Sequence, residues 1–223
     1  ENFIHWDVHS QFSILQSTSN VNSIVNHAVE VSMPAIAITG QSNMMHAFSV
    51  VRAAKNAGIK AIVGCEFNLC QDHANKKGKD DGFQTTILAK NKKGYHNLAK
   101  LSSLAYMDGF YYLPRIDREQ LLEFKEDLIV LTGGLWGEVP SLILNVGEAQ
   151  AEEAFVWYKE HFGDNFYAEL NRHGLEEEQV VNDTLLRFCE KYGVRYVAAN
   201  NTYYTKREDA SSHYMLLCVR DAE

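Results

Sequence analysis

The sequence predicts an α/β fold, a distorted TIM-like (β/α)7 barrel forming a single domain over residues 1–223. Three observations predict it. Short apolar segments alternate with amphipathic ones along nearly the whole chain, the pattern of strands joined through helices. Some of the apolar segments, such as Ala35-Ile36-Ala37-Ile38, are apolar at every position, as strands covered on both faces are. About seven strand-helix units can be counted with no low-complexity linker between them, which suits a closed or nearly closed barrel better than an open sheet.

Each element follows from local signals. Phe3 to Val8 reads as the first strand, and Asn20 as the cap of a helix to Ser32 with Ile24, Val25, Ala28 and Val29 on one face. Ala35–Ile38 is the second strand. Asn43 to Asn56 is helical and Gly58 ends that helix. Lys60 to Leu69 is the third strand, and the polar stretch from Cys70 to Gly82 is an exposed hairpin connection or loop. Thr85–Ala89 is a strand and Gly94–Tyr106 a helix. Leu128–Thr132 is a strand followed by Gly133-Gly134 and helical segments to Phe162. Phe166–Leu170 (strand), Glu176–Tyr192 (helix) and Tyr196–Ala199 (strand) complete the series, with the strands expected to run parallel.

Bulk properties exclude several classes. With 46% hydrophobic and 22% charged residues in 223, the chain can build a core without disulfides or structural metal. Its formal net charge is -8, and Lys76-Lys77-Gly78-Lys79, set among Asp72, Asp80 and Asp81, reads as a solvated loop. Weak or no direct DNA binding is expected, because phosphate neutralisation supplies most such affinity. Cys65, Cys70, Cys189 and Cys218 show no metal-site spacing and read as reduced, mostly buried thiols. No apolar run of spanning length or signal-peptide pattern occurs, so a cytoplasmic protein is expected.

Barrel chemistry sits where strands end, at the C-terminal rim. The first strand offers His5, Asp7 and His9, which period-two alternation places on one face. The third offers Glu66, and the sixth ends at Asn171-Arg172-His173-Gly174. Imidazoles and carboxylates projecting together suit a divalent metal, although a hydrogen-bonded polar layer accounts for the His5/Asp7/His9 row as well. The other strand ends offer Gly40, Gln41, Gln84, Gly134, Asn201 and Tyr203, poor ligands for hydrolytic metals. Gly133-Gly134-Leu135-Trp136-Gly137 lacks the Lys-Ser/Thr ending of a phosphate-cradling loop and reads as a strand-to-helix turn. His27, His46, His96 and His161 fall on helices, as surface or capping residues.

Longer motifs carry a resemblance. Phe3 to Ser13, Met33 to Thr39 with Ser42-Asn43-Met44, Ala57 to Glu66, Asn91 to Leu98, Gly109 to Asp117, Arg172 to Glu176 and Glu208 to Cys218 are together similar to the PHP (polymerase and histidinol phosphatase) domains of bacterial DNA polymerase III alpha subunits. The match runs in unbroken order over essentially the whole chain. It implies the PHP fold, a distorted barrel of about seven units, whose metal-bearing members hold up to three ions and hydrolyse phosphoesters. Carried over residue by residue, the family pattern retains His9 and Glu66 here. It meets Asp7 and Gln16 near the first strand, Gly40-Gln41 after the second, and Gln84, Tyr106, Gly134, Asn201 and Tyr203 at the later ligand positions.

The resemblance therefore implies a vestigial pocket, with Arg172 and His173 beside it, no catalytic residues and no cofactor. Any ion that did bind would fall to Asp7, His9 and Glu66. The implied role is a structural scaffold and docking module at the N-terminus of a DNA-directed DNA polymerase. Its partners would be the remainder of that subunit and a separate proofreading exonuclease subunit. The competing expectation is a metal-dependent phosphoesterase or 3′–5′ exonuclease with a depleted site.

Overall fold

The computed structural model describes residues 3–9, 35–41, 44, 47–58, 60–171, 174–199 and 217–219. Among these, β1 (Phe3–His9), β2 (Ala35–Gln41), β3 (Lys60–Cys70), β4 (Phe83–Ala89), β6 (Leu128–Leu131), β7 (Phe166–Asn171), β8 (Arg195–Ala199) and β9 (Leu217–Val219) form one ring. The β2–β3 pairing closes it into a distorted barrel. A two-residue strand, β5 (Ile116–Asp117), pairs with Leu69 and Cys70, taking over the edge of β3 that β2 leaves after Glu66. Around the barrel lie α1 (Ala47–Ala57), α2 (Lys92–Met107), α3 (Arg118–Glu123), α4 (Glu138–Asn145), α5 (Glu148–Phe162) and α6 (Glu176–Tyr192). The predicted helix from Asn20 to Ser32 lies outside the described residues, and of the helix predicted from Asn43 the described part is α1, Ala47–Ala57.

The expectation of uniformly parallel strands is corrected. β1–β2, β2–β3, β6–β7 and β7–β8 are parallel, but β4 and β9 run antiparallel to both neighbours. For β4 the reason lies in its connection from β3. Residues 71–82 contain no helix, and a parallel return needs a crossover. β3 and β4 are therefore a hairpin, with Leu69 opposite Phe83.

The helices end and begin where their residues dictate. Asn91 caps α2 by accepting from Gly94 N–H at 3.1 Å. Asp117 and Gln120 form a reciprocal capping box on α3. Glu176, Glu177 and Glu178 meet the positive end of α6, and Gly193, at φ 67°, closes it in the left-handed conformation. The main core lies between sheet and helices. Cys65, Phe67 and Leu69 of β3, Ile87 of β4, Leu128 and Val130 of β6, and Phe166, Ala168 and Leu170 of β7 face outward into it. They meet Phe155, Val181 and Phe188, with the Phe155 ring 5.0 Å from Phe166. Alternation then turns Glu66, Thr86, Leu131, Glu169 and Asn171 to the opposite face, the barrel lumen.

Candidate functional site

The rim is built by register. Gln41 pairs with Glu66, and Glu66 with Thr86 across the hairpin. His9 pairs with Thr39, two residues before Gln41. Gly40 and Gln41 lie within β2, not after it as expected, because that strand keeps pairing to the level of Glu66. Along β1 the register gains one residue on β2 between His5 and Val8, and the side chains of His5, Asp7 and His9 are not among those described.

On the opposite side Gln84, Gly134 and Asn171 come together. Gln84 N–H donates to Trp136 O at 3.0 Å, tying the start of β4 to the loop after β6. A Cβ at Gly134 would stand 3.9 Å from Asn171 Nδ2. Asn171 is held by α6, its N–H donating to Asn182 Oδ1 at 3.3 Å and its carbonyl accepting from Asn182 Nδ2 at 2.7 Å. Tyr106 is corrected outright. It lies on α2, 48% exposed and stacked on Phe110, because a residue on an outer helix does not share the rim of the strands. Gln16, Arg172, His173, Asn201 and Tyr203 lie outside the described residues. Of the helical histidines, His96 is exposed and His161 packs on Trp157 with ring centroids 4.6 Å apart, while His27 and His46 also lie outside.

Sequence reasoning missed Glu169. This carboxylate in β7 is 1% exposed, and its N–H donates to Thr132 Oγ1 at 2.8 Å. A Glu inside the strand Phe166-Tyr167-Ala168-Glu169-Leu170-Asn171 was the available signal, since buried carboxylates are rare unless they have a task or a partner.

A second missed cluster stands at the hairpin tip. Asp72, His73 and Asp117 bring one ligand atom each to within 4.8 Å of one another. Asp117 is committed on both oxygens. Oδ1 accepts from Gln120 N–H at 3.0 Å, and Oδ2 accepts from His73 N–H at 3.1 Å and from the His73 ring. Burial alone would raise its pKa, but the hydrogen bonds from Gln120 and His73 outweigh burial and hold it below the ordinary carboxylate range. Asp72 Oδ1 already accepts from Ala74 N–H at 2.9 Å. The cluster thus has the atoms of a metal site and an internal hydrogen-bonding account of its own geometry. Between this loop and α3–α4 opens a cavity of about 950 Å³ lined by Asp72, Lys79, Asp80, Arg118 and Glu138 among others. Charges of both signs line it, and Arg118 and Glu138 pair at 2.6 Å.

Beneath the loop Arg115 is completely buried. Nε donates to Gly109 O at 2.9 Å, Nη1 to Asp80 O at 2.9 Å, and Nη2 to His73 O at 3.2 Å and Asn75 O at 3.1 Å. Cys65, Cys70 and Cys189 are free and buried, and burial pushes the Cys70 thiol up to about 11 and the Cys189 thiol to about 12.

Comparison with known proteins fits this architecture. The PHP domain family matches residues 5–173. The chain belongs to the PHP family. Two relatives are both DNA polymerase III subunit alpha. The one from Borreliella burgdorferi is 38% identical over 97% of this chain and 19% of its own length, and the one from Thermus aquaticus is 38% identical over 98% and 18%. The PHP domain described here thus spans about a fifth of the length of the curated relatives it matches. Two solved structures share the fold at 10% identity. A putative metal-dependent phosphoesterase from Bifidobacterium adolescentis has a TM-score of 0.59, covering 94% of this chain and 90% of its own. An amidohydrolase from Chromobacterium violaceum with bound sulfate has a TM-score of 0.61, covering 95% and 90%. Among the described residues, no helix is long and apolar enough to cross a membrane.

Proposed function

We propose that this PHP domain is the N-terminal module of a bacterial replicative DNA polymerase III alpha subunit, acting as a scaffold and docking module rather than as a hydrolase. One observation carries the reading: the donor set at the rim. Of the positions to which the family pattern assigns metal ligands, those with described side chains supply the Glu66 carboxylate, the Gln84 amide, a glycine at 134, and Tyr106 on the outer surface. Hydrolytic two-metal sites need several anionic or imidazole ligands converging on ions a few Å apart to lower the pKa of a bound water. Asp7, His9 and Glu66 are too few to fix such a cluster, so the residues present do not fit the metals of the family. The polymerase activity of the parent subunit belongs to chain outside the matched region, and a separate exonuclease subunit is the partner that a non-hydrolytic PHP domain would serve.

A second reading, a metal-dependent phosphoesterase, is favoured by two carboxylates, Glu66 and the buried Glu169, on the lumen face. Metal analysis and hydrolysis of single-stranded DNA by the purified domain separate the two. The scaffold reading expects well under one equivalent of zinc or manganese and no hydrolysis above buffer. Stoichiometric metal, with hydrolysis abolished by His9→Ala, would overturn it.

A further inference from the structure

Residues 106–112 display a dense set of large apolar side chains in water. Tyr106 is 48% exposed, Met107 80%, Phe110 49% and Tyr112 71%. They span the last residues of α2 and the turn after it in one tight segment, with the Tyr106 and Phe110 rings stacked at 6.5 Å. Isolated apolar residues on a surface need no explanation, but a contiguous group does.

The segment is also held firmly. Lys76 Nζ donates to Asp108 O at 2.8 Å and to Phe110 O at 2.7 Å. Arg115 grips Gly109 O and lies 5.4 Å from the Tyr111 ring centroid, and Tyr111 N–H donates to Leu113 O at 3.1 Å. Asn68 Nδ2 ties Pro114 O to β3 at 3.2 Å. Tyr112 itself sits at φ 65°, the left-handed region that a side chain with a Cβ rarely adopts. Two cations and a strained backbone therefore hold exposed aromatic groups in a fixed pose, the preorganisation that interface anchors have.

We infer that the Tyr106–Tyr112 segment is the surface on which a neighbouring domain of the same polymerase subunit docks. This rests on the module reading above. The chemistry selects protein over nucleic acid: Lys76 is spent on carbonyls, Asp108 adds negative charge, and the chain as a whole carries -8. The relatives select the covalent neighbour, since the matched region is only 19% and 18% of their length and the remainder is attached to every copy of the domain. An attached partner needs little intrinsic affinity, because its effective concentration is high.

The test is peroxide oxidation of Met107 in the full-length subunit, with N-acetylmethionine amide as free reference in the same tube. Docking slows Met107 oxidation at least about tenfold against the reference, because sulfur oxidation follows exposure. In the full-length F110S/Y112S variant the rate returns to the reference, while circular dichroism stays that of the parent. Met107 oxidised at the reference rate in the monomeric full-length subunit would overturn the inference. So would protection that disappears on dilution, which would mark a second copy as the occupant. The two readings fail separately. Metal in the barrel with Met107 protected removes the non-hydrolytic reading alone, and a metal-free barrel with Met107 reactive removes the docking alone.

Discussion

Arg115→Met removes the guanidinium that joins three stretches of backbone while keeping an apolar stem of similar length. Four bonds are lost, to Gly109, Asp80, His73 and Asn75. A hydrogen bond from a charged donor contributes about 1.5–3 kcal/mol when measured singly. Four do not add, because they share one side chain and one loop. The carbonyls of His73, Asn75 and Asp80 also belong to a largely exposed loop and can rehydrate, whereas Gly109 is buried. We expect a net loss of about 3 kcal/mol, at the low end of what breaking a buried charged network costs. For a domain of this size that lowers Tm by roughly 6–12 °C. Amide exchange locates the effect. Gln71, His73 and Gly82, whose N–H groups donate to Asp80 and Asp117 carboxylates, should exchange at least about tenfold faster, with β7 and α6 unchanged. Arg115→Lys, which keeps the charge but not the fork, should fall between. A Tm within about 2 °C of the parent, with loop protection intact, would refute the claim that this side chain organises the hairpin tip.

Asp117→Asn retains a good helix cap and removes the charge. Because the folded-state pKa of Asp117 is depressed, its ionised form contributes stability that is full above the ordinary carboxylate range and is lost as pH falls through the depressed value. Urea unfolding should therefore show the variant about 1 kcal/mol less stable at neutral pH, converging on the parent as pH falls through the depressed value; a constant difference from neutral to acid pH would contradict the assignment. Gly137→Ala would place a Cβ 2.1 Å from Thr132 O and 3.1 Å from Gly134 O, so the turn after β6 must shift. A thermal melt should show a loss of roughly 2 kcal/mol, or about 4–8 °C, and a neutral outcome would mean that the turn is loose. Exhaustive chelation should leave Tm unchanged; a fall that is absent in His73→Ala would instead identify Asp72, His73 and Asp117 as an occupied metal site.

Much of the fold was legible because its signals are local. The predicted helix Glu176–Tyr192 has the observed bounds, since a run of three glutamates opens it and Gly193 closes it. Strand direction was not legible where no crossover helix intervenes, and β9, three residues long, is too short to show any period. Asp117-Arg118-Glu119-Gln120 carried a capping-box signature for α3 that the sequence reading passed over. At the site, register brings Glu66 level with Gln41 and Thr86 and sets Gln84 at the start of β4, whereas Gly40 and Gln41 lie inside β2 and Tyr106, carried over by likeness alone, lies on α2. Arg115 could not have been read in advance, because a single arginine after Leu113-Pro114 looks solvated until the loops it joins are seen together.

The two faces of the sheet separate what holds the architecture from what lines the mouth. The core that supports the barrel lies on the outer face, where Phe67, Ile87, Val130, Ala168 and Leu170 pack against the helices. Glu66, Thr86 and Glu169 alternate with them and point the other way. Exchanging one polar side chain for another at the mouth leaves that core untouched. Burial of the outer residues dominates stability, and polar groups near a rim contribute little unless they are left without partners. Selection for a docking surface at residues 106–112 can then act independently of selection at the mouth, since that segment is anchored by Arg115 and Lys76 and not by rim residues.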